Sequence, residues 1–160
     1  MSEFAATGRG VERDMHKSVQ LFQKGCELGN ADCCSAGGME LATGKYVEQN
    51  VEEARKLLNK ACGHVGQSKA CNMLGEMYLV GKYGTTKDLP TAAQYLHKAC
   101  EGGRALSCRN LALMHLRGEG VEANKETAQK FWDKMFDIKE QELGRSVPRK
   151  GLPALEANSS

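Results

Sequence analysis

A displacement of 37 residues lays the chain on itself: Cys34 falls on Cys71 and Cys108, Gly38 on Gly75 and Ala112, and Gly44 on Gly81 and Gly118. Displacements of 36 to 38 residues put Asp14, Asn50, Asp88 and Asn124 in one column, and Cys26, Cys62, Cys100 and Phe136 in another. A fixed period between about 20 and 50 residues marks a repeat array, in which a unit too small to bury its own apolar face buries it on the next. The 160 residues are therefore expected to form a continuous stack.

Each period holds two helical patterns. Met15, Ser18, Val19, Phe22, Gly25 and Cys26 occupy one face of a 3.6-residue repeat. The same template fits Val51, Ala54, Leu58, Ala61 and Cys62, and again Leu89, Ala92, Ala93, Leu96, Ala99 and Cys100. Asp14, Asn50, Asp88 and Asn124 stand just ahead of these long helices, where a short polar side chain accepts from unpaired N–H groups of the first turn. Pro90 falls inside such a turn, where its missing N–H costs little. Shorter helices are predicted over Ala31–Ala42, Lys69–Leu79 and Ala105–Arg117. Gly44, Gly81 and Gly118 follow where a left-handed cap is wanted. In the middle one, Ala70, Leu74 and Tyr78 make a stripe and Gly75 permits close approach of a neighbour. No segment alternates as a strand does. The reading is an all-α, right-handed α-solenoid of about three and a half αα-hairpins.

The last long helix keeps the pattern with Lys125, Ala128, Trp132, Met135 and Phe136 but replaces small residues by large ones, as an apolar end cap would. It is expected to run to Leu143 and stop at Gly144. Residues 1–144 are thus assigned to the array, and 145–160, with Pro148 and Pro153, to a flexible tail. At the other end Gly8-Arg9-Gly10-Val11 matches Gly118-Glu119-Gly120-Val121. The array is expected to open on a partial repeat, with its first helix beginning at Asp14.

With 22 basic and 20 acidic residues, and no basic stripe interleaved with aromatics, nucleic acid is not an expected partner. No stretch of about 18 apolar residues suggests a membrane span. The opening residues show neither the basic nor the apolar region of a secretory signal. Seven cysteines at regular spacing nevertheless look like a disulfide framework, which belongs to oxidising compartments.

A cysteine ends each long helix and another opens the following short one, which pairs Cys26 with Cys34, Cys62 with Cys71 and Cys100 with Cys108. A helix end, a tight loop and an antiparallel start bring such residues together. Either Cys33 or Cys34 could serve Cys26; the repeat register favours Cys34 and leaves Cys33 as a free thiol. Zinc held by Cys62, His64 and Cys71 is the competing use of these side chains, against which C-x2-C and H-x3-H spacings are absent. The C-x-x-C-H haem motif and a C-x-x-C redox motif are absent too. No cofactor is therefore expected, with His16, His97 and His115 as the residue-type candidates for haem ligation, weighed against ordinary solvent-facing histidines.

Cys71-x-x-Leu74-Gly75, Gly81-Lys82-x-Gly84, Asp88-Leu89 and Lys98-Ala99-Cys100-Glu101-Gly102-Gly103 together resemble Sel1-like repeats, a tetratricopeptide-like helical family, over about residues 8–143. Departures are Gly25 for the usual Ala, Ala112 for Gly, and one extra residue between Cys62 and Cys71. Cysteine at both ends of the loop narrows the resemblance to a disulfide-rich subgroup. It is similar there to the mitochondrial members that act in cytochrome c oxidase assembly. The resemblance implies a non-catalytic, monomeric scaffold of the intermembrane space, whose concave face, formed by the short helices, takes a protein partner. Asn72, Glu76 and Arg109 are its candidate contacts. The alternatives are a secreted or periplasmic cysteine-rich member with penicillin-binding or β-lactamase-like activity, and a haem-binding or redox protein. The S-x-x-K pattern of serine β-lactamases is missing.

Overall fold

The computed structural model describes residues 9–155, and over them the chain is helical with no strand. Seven α-helices follow in order: α1 (Arg9–Glu27), α2 (Ala31–Thr43), α3 (Val51–Cys62), α4 (Ser68–Val80), α5 (Leu89–Glu101), α6 (Ala105–Arg117) and α7 (Lys125–Leu143). A single 3-10 turn, Lys82–Gly84, lies between α4 and α5. Neighbours in sequence are neighbours in space throughout, which is the α-solenoid that the period demands.

Polar residues set the boundaries. Asn50 Oδ1 accepts from Glu53 N at 3.1 Å, Asp88 Oδ1 from Thr91 N at 3.2 Å and Asn124 Oδ1 from Thr127 N at 3.1 Å. Asn30, not singled out in the sequence, does the same for α2 from Cys33 N. At the other ends Gly44, Gly81 and Gly118 adopt φ of 64°, 72° and 70° and return their N–H to the last turn. Glycine populates this left-handed region without the steric penalty of a Cβ.

The first boundary departs from expectation. The helix already runs from Arg9, so Asp14 lies inside α1 and caps nothing. No proline interrupts Val11-Glu12-Arg13, and extending a helix already formed costs less than ending it. The likeness of Gly8–Val11 to an inter-helix loop therefore fails at Arg9–Val11; residues 1–8 lie outside the described residues.

The core is built by a glycine column meeting a leucine column. A Cβ added to Gly38 would stand 2.7 Å from Leu58 Cγ, and one added to Gly75 2.7 Å from Leu96 Cδ2. Leu58 and Leu96 are fully buried there. Mid-helix glycine costs about 1 kcal/mol relative to alanine, and full burial of a leucine contributes about 1.5–3 kcal/mol, so the exchange favours the glycine.

Residues 145–152 are not the flexible tail expected; residues 156–160 lie outside the described residues. Residues 145–152 turn back over α7, with Val147 and Leu152 packed against a cluster that includes Trp132, Met135, Phe136 and Ile138. Trp132 Nε1 donates to the Lys150 carbonyl at 2.7 Å. Arg149 Nη2 reaches Asp137 Oδ1 at 2.6 Å and Glu140 Oε2 at 2.9 Å. Among the described residues no later short helix covers α7, and its enlarged apolar face takes up residues 147–152 instead.

Gly75→Ala is expected to lower stability in urea melts by about 1–3 kcal/mol, because Leu96 cannot retreat. Gly63→Ala, at φ −74° with nothing nearer than 3.8 Å, should change it by less than about 0.5 kcal/mol.

Candidate protein-interaction site

Three disulfides, Cys26–Cys34, Cys62–Cys71 and Cys100–Cys108, join the end of each long helix to the start of the next short one, with Cα separations of 4.6, 4.7 and 4.7 Å. All six residues are buried. Closing so short a loop is worth about 2.5 kcal/mol by loss of unfolded-chain entropy. Since Cys62 and Cys71 are bonded to each other, their sulfurs are not available as zinc thiolates beside His64. Cys33 is the free thiol, half-buried. A Cβ at Gly25 would collide with Cys33 Sγ, which explains why Gly25 replaces the alanine usual before the cysteine.

A ladder of rings runs across the helices of successive hairpins. Tyr78 on α4 stacks on Tyr95 on α5 with centroids 5.9 Å apart and planes within 7°, and the Tyr95 hydroxyl donates to Asn59 Oδ1 at 2.8 Å. Burial, then the neighbouring Tyr78, pushes the Tyr95 phenol above its ordinary pKa, so it remains a donor at neutral pH. One repeat later His115 occupies the place of Tyr78, Phe131 that of Tyr95 and His97 that of Asn59. His115 lies on Phe131 at 5.5 Å and His97 meets the same ring edge-on at 5.6 Å. Phe131 has no hydroxyl to offer His97, and His115 Nδ1 is enclosed without a hydrogen-bond partner. The two imidazoles line a groove of about 530 Å³ with Pro90, Ala93, Leu111 and Val121, and Lys98 also lines it. His16 belongs to α1 and stands apart, exposed and 3.4 Å from Gln20.

The predicted contact residues divide. Asn72 is buried: Ser107 Oγ donates to its Oδ1 at 2.6 Å, and its Nδ2 donates to Glu76 Oε1 at 3.1 Å. It joins α4 to α6 and is not open to a partner, which corrects the expectation for it. Arg109, in the same column one repeat on, is exposed, since among the described residues no further short helix lies beyond α6. Glu76 is half-buried. It shares one side of α4 with Lys69, Met73 and Val80, at offsets of four, three and four residues. The matching side of α6 is Leu106, Asn110, Leu113 and Arg117. Val80 is 66% exposed and Leu106 45%, so this stripe presents apolar side chains among charges. The spacing was available in the sequence, but only burial separates its positions from those of the core.

Four matches to the Sel1 repeat model cover residues 2–30, 33–63, 68–103 and 105–137. Cytochrome c oxidase assembly factor 7A of Xenopus laevis is 29% identical over 153 residues, 91% of this chain and 65% of that protein. Cytochrome c oxidase assembly factor 7 of Danio rerio is 31% identical over 128 residues, 76% of this chain and 56% of that protein. The chain thus spans less than two thirds of the length of these curated relatives. Among solved structures, Helicobacter pylori cysteine rich protein B superposes with a TM-score of 0.62 at 32% identity, covering 86% of this chain and 98% of that one. A Sel1 repeat protein from Oxalobacter formigenes gives 0.65 at 27%, covering 83% and 38%.

Asn72→Ala should destabilise the chain by about 1–3 kcal/mol in urea melts, the cost of leaving Ser107 unpaired in the interior. A change below about 0.5 kcal/mol would return Asn72 to the surface class.

Proposed function

The chain belongs to the Sel1-repeat family, and from that premise we propose that it is a non-catalytic, disulfide-stapled scaffold that holds a protein partner during cytochrome c oxidase assembly. The observation that carries this reading is the short-helix stripe. Val80 on α4 and Leu106 on α6 are exposed, beside half-buried Met73, Glu76 and Leu113, on helices that disulfides hold at their first turns. A surface fixed in advance loses little freedom when a partner binds, which raises affinity without adding contacts. Similarity to proteins named cytochrome c oxidase assembly factor 7 supports the process. Three disulfides suit an oxidising compartment, and the mitochondrial intermembrane space agrees with both.

A photo-crosslinking residue at Met73 or Glu76, in cells lacking their own cytochrome c oxidase assembly factor 7, tests this. Adducts with an oxidase subunit or another assembly protein are expected from those positions, and not from Lys56, exposed on α3. Equal labelling from Lys56, or a chain found only in the cytosol, would contradict the reading.

A second reading, haem binding, has one observation in its favour. His97 and His115 share an apolar groove, and His115 Nδ1 is enclosed there without a hydrogen-bond partner. The two histidines would be the ligating residues there, and the group would supply iron-centred redox or ligand chemistry. Haem titration is expected to give a Soret band that His115→Ala and His97→Ala each weaken. A band unchanged in both variants would rule out this groove.

A further inference from the structure

In the interior of the array each long helix is covered on its far side by the next short helix. Cys62 hands over to Cys71 on α4, and Cys100 to Cys108 on α6. On α7 the cysteine column holds Phe136 and no short helix follows among the described residues, yet Trp132, Met135, Phe136 and Ile138 are all at most 8% exposed. Residues 145–152 supply the cover. Val147 and Leu152 join their cluster, and the Trp132 indole donates to the Lys150 carbonyl.

The cover is latched by polar groups. Arg149 straddles Asp137 and Glu140 while its guanidinium lies 5.8 Å from the Phe136 ring centre. The Val147 N–H donates to Glu140 Oε1 at 3.3 Å. Arg149 and then this N–H hold the Glu140 carboxyl below its ordinary pKa, so the latch keeps its charge through the neutral range.

We propose that residues 145–152 are the C-terminal cap of the solenoid, an internal stand-in for the short helix of a further repeat, and that their release lets the α7 face of one copy pair with that of a second copy. This goes beyond the scaffold reading and does not rest on it. Repeat arrays need a terminal element with a polar outer side to remain soluble. Without the strap, the parts of Trp132 and Phe136 that Val147, Lys150 and Leu152 cover would open to solvent, as an apolar face beside Met135 and Ile138. The charges favour a copy of the same face. Once Arg149 leaves, Asp137 and Glu140 are free, and α7 also carries Lys130 and Lys139. An antiparallel two-fold pairing sets the acids of one copy beside the lysines of the other.

The test uses the full chain with Arg149→Glu and Leu152→Ser together, and Trp132, the single tryptophan, as reporter. At low concentration the variant should show red-shifted emission and severalfold stronger iodide quenching than the unaltered chain. At high concentration light scattering should give twice the monomer mass, with emission returning to the blue. Unchanged emission and quenching would overturn the cap. An exposed tryptophan on a chain that stays monomeric throughout the series would overturn the pairing. Should circular dichroism show that the double variant has lost helix, amide exchange at Val147 in the unaltered chain decides. Exchange at least tenfold slower than an unstructured peptide upholds the latch, and exchange at the unstructured rate removes it.

Discussion

The bond between the end of one long helix and the first turn of the next short helix is the constraint on which the rest of this structure depends. An αα-hairpin of this length cannot bury its own apolar face, so its stability lies in its junctions with its neighbours. Here each of three successive junctions is covalent. At about 2.5 kcal/mol each, the three together are on the scale of the whole net stability of a small domain, about 5–15 kcal/mol. Gly38 against Leu58 and Gly75 against Leu96 then bring the two helices of a hairpin close. Disulfides set the junctions between hairpins, and glycines set the distance within them.

Function follows from that division. Since the staples and glycines hold the stack, the outward side of the short helices is free to expose Val80 and Leu106. The ring ladder shows the same freedom. Tyr78, Tyr95 and Asn59 close one rung with a hydrogen bond, whereas His115, Phe131 and His97 leave theirs open beside a groove. One repeat is finished as structure, and the next, in the same register, leaves His115 Nδ1 enclosed without a partner. The apolar face of α7 is covered by a third route, the strap of residues 145–152.

Much of this was legible in the sequence, and the reasons are local. The period, the Asn and Asp caps at Asn50, Asp88 and Asn124, and the glycine stops at Gly44, Gly81 and Gly118 are encoded within a few residues of the feature they produce. The cysteine positions carry their own register. The features that escaped depend on distant partners. Asn72 reads as a surface residue until Ser107, 35 positions away, is seen to bond it. Asp14 has the right type and column for a cap, but nothing in its own turn says that α1 runs on from Arg9. The polar, proline-bearing stretch after Gly144 reads as tail because its partners, Trp132, Asp137 and Glu140, lie on a helix already assigned to another role. The ring ladder was hidden because Tyr78 and Tyr95 meet across a hairpin, not along a helix.

The central claim is that oxidised cysteine junctions build this array, and a disulfide map of the protein from its native source tests it most directly. Alkylation without reduction, followed by digestion and mass spectrometry, should label Cys33 alone and return the three linked pairs Cys26–Cys34, Cys62–Cys71 and Cys100–Cys108. Free alkylation of most of the seven cysteines in a helical, folded protein would contradict it. The junctions would then be held by packing alone, and the argument for an oxidising compartment would fall with them.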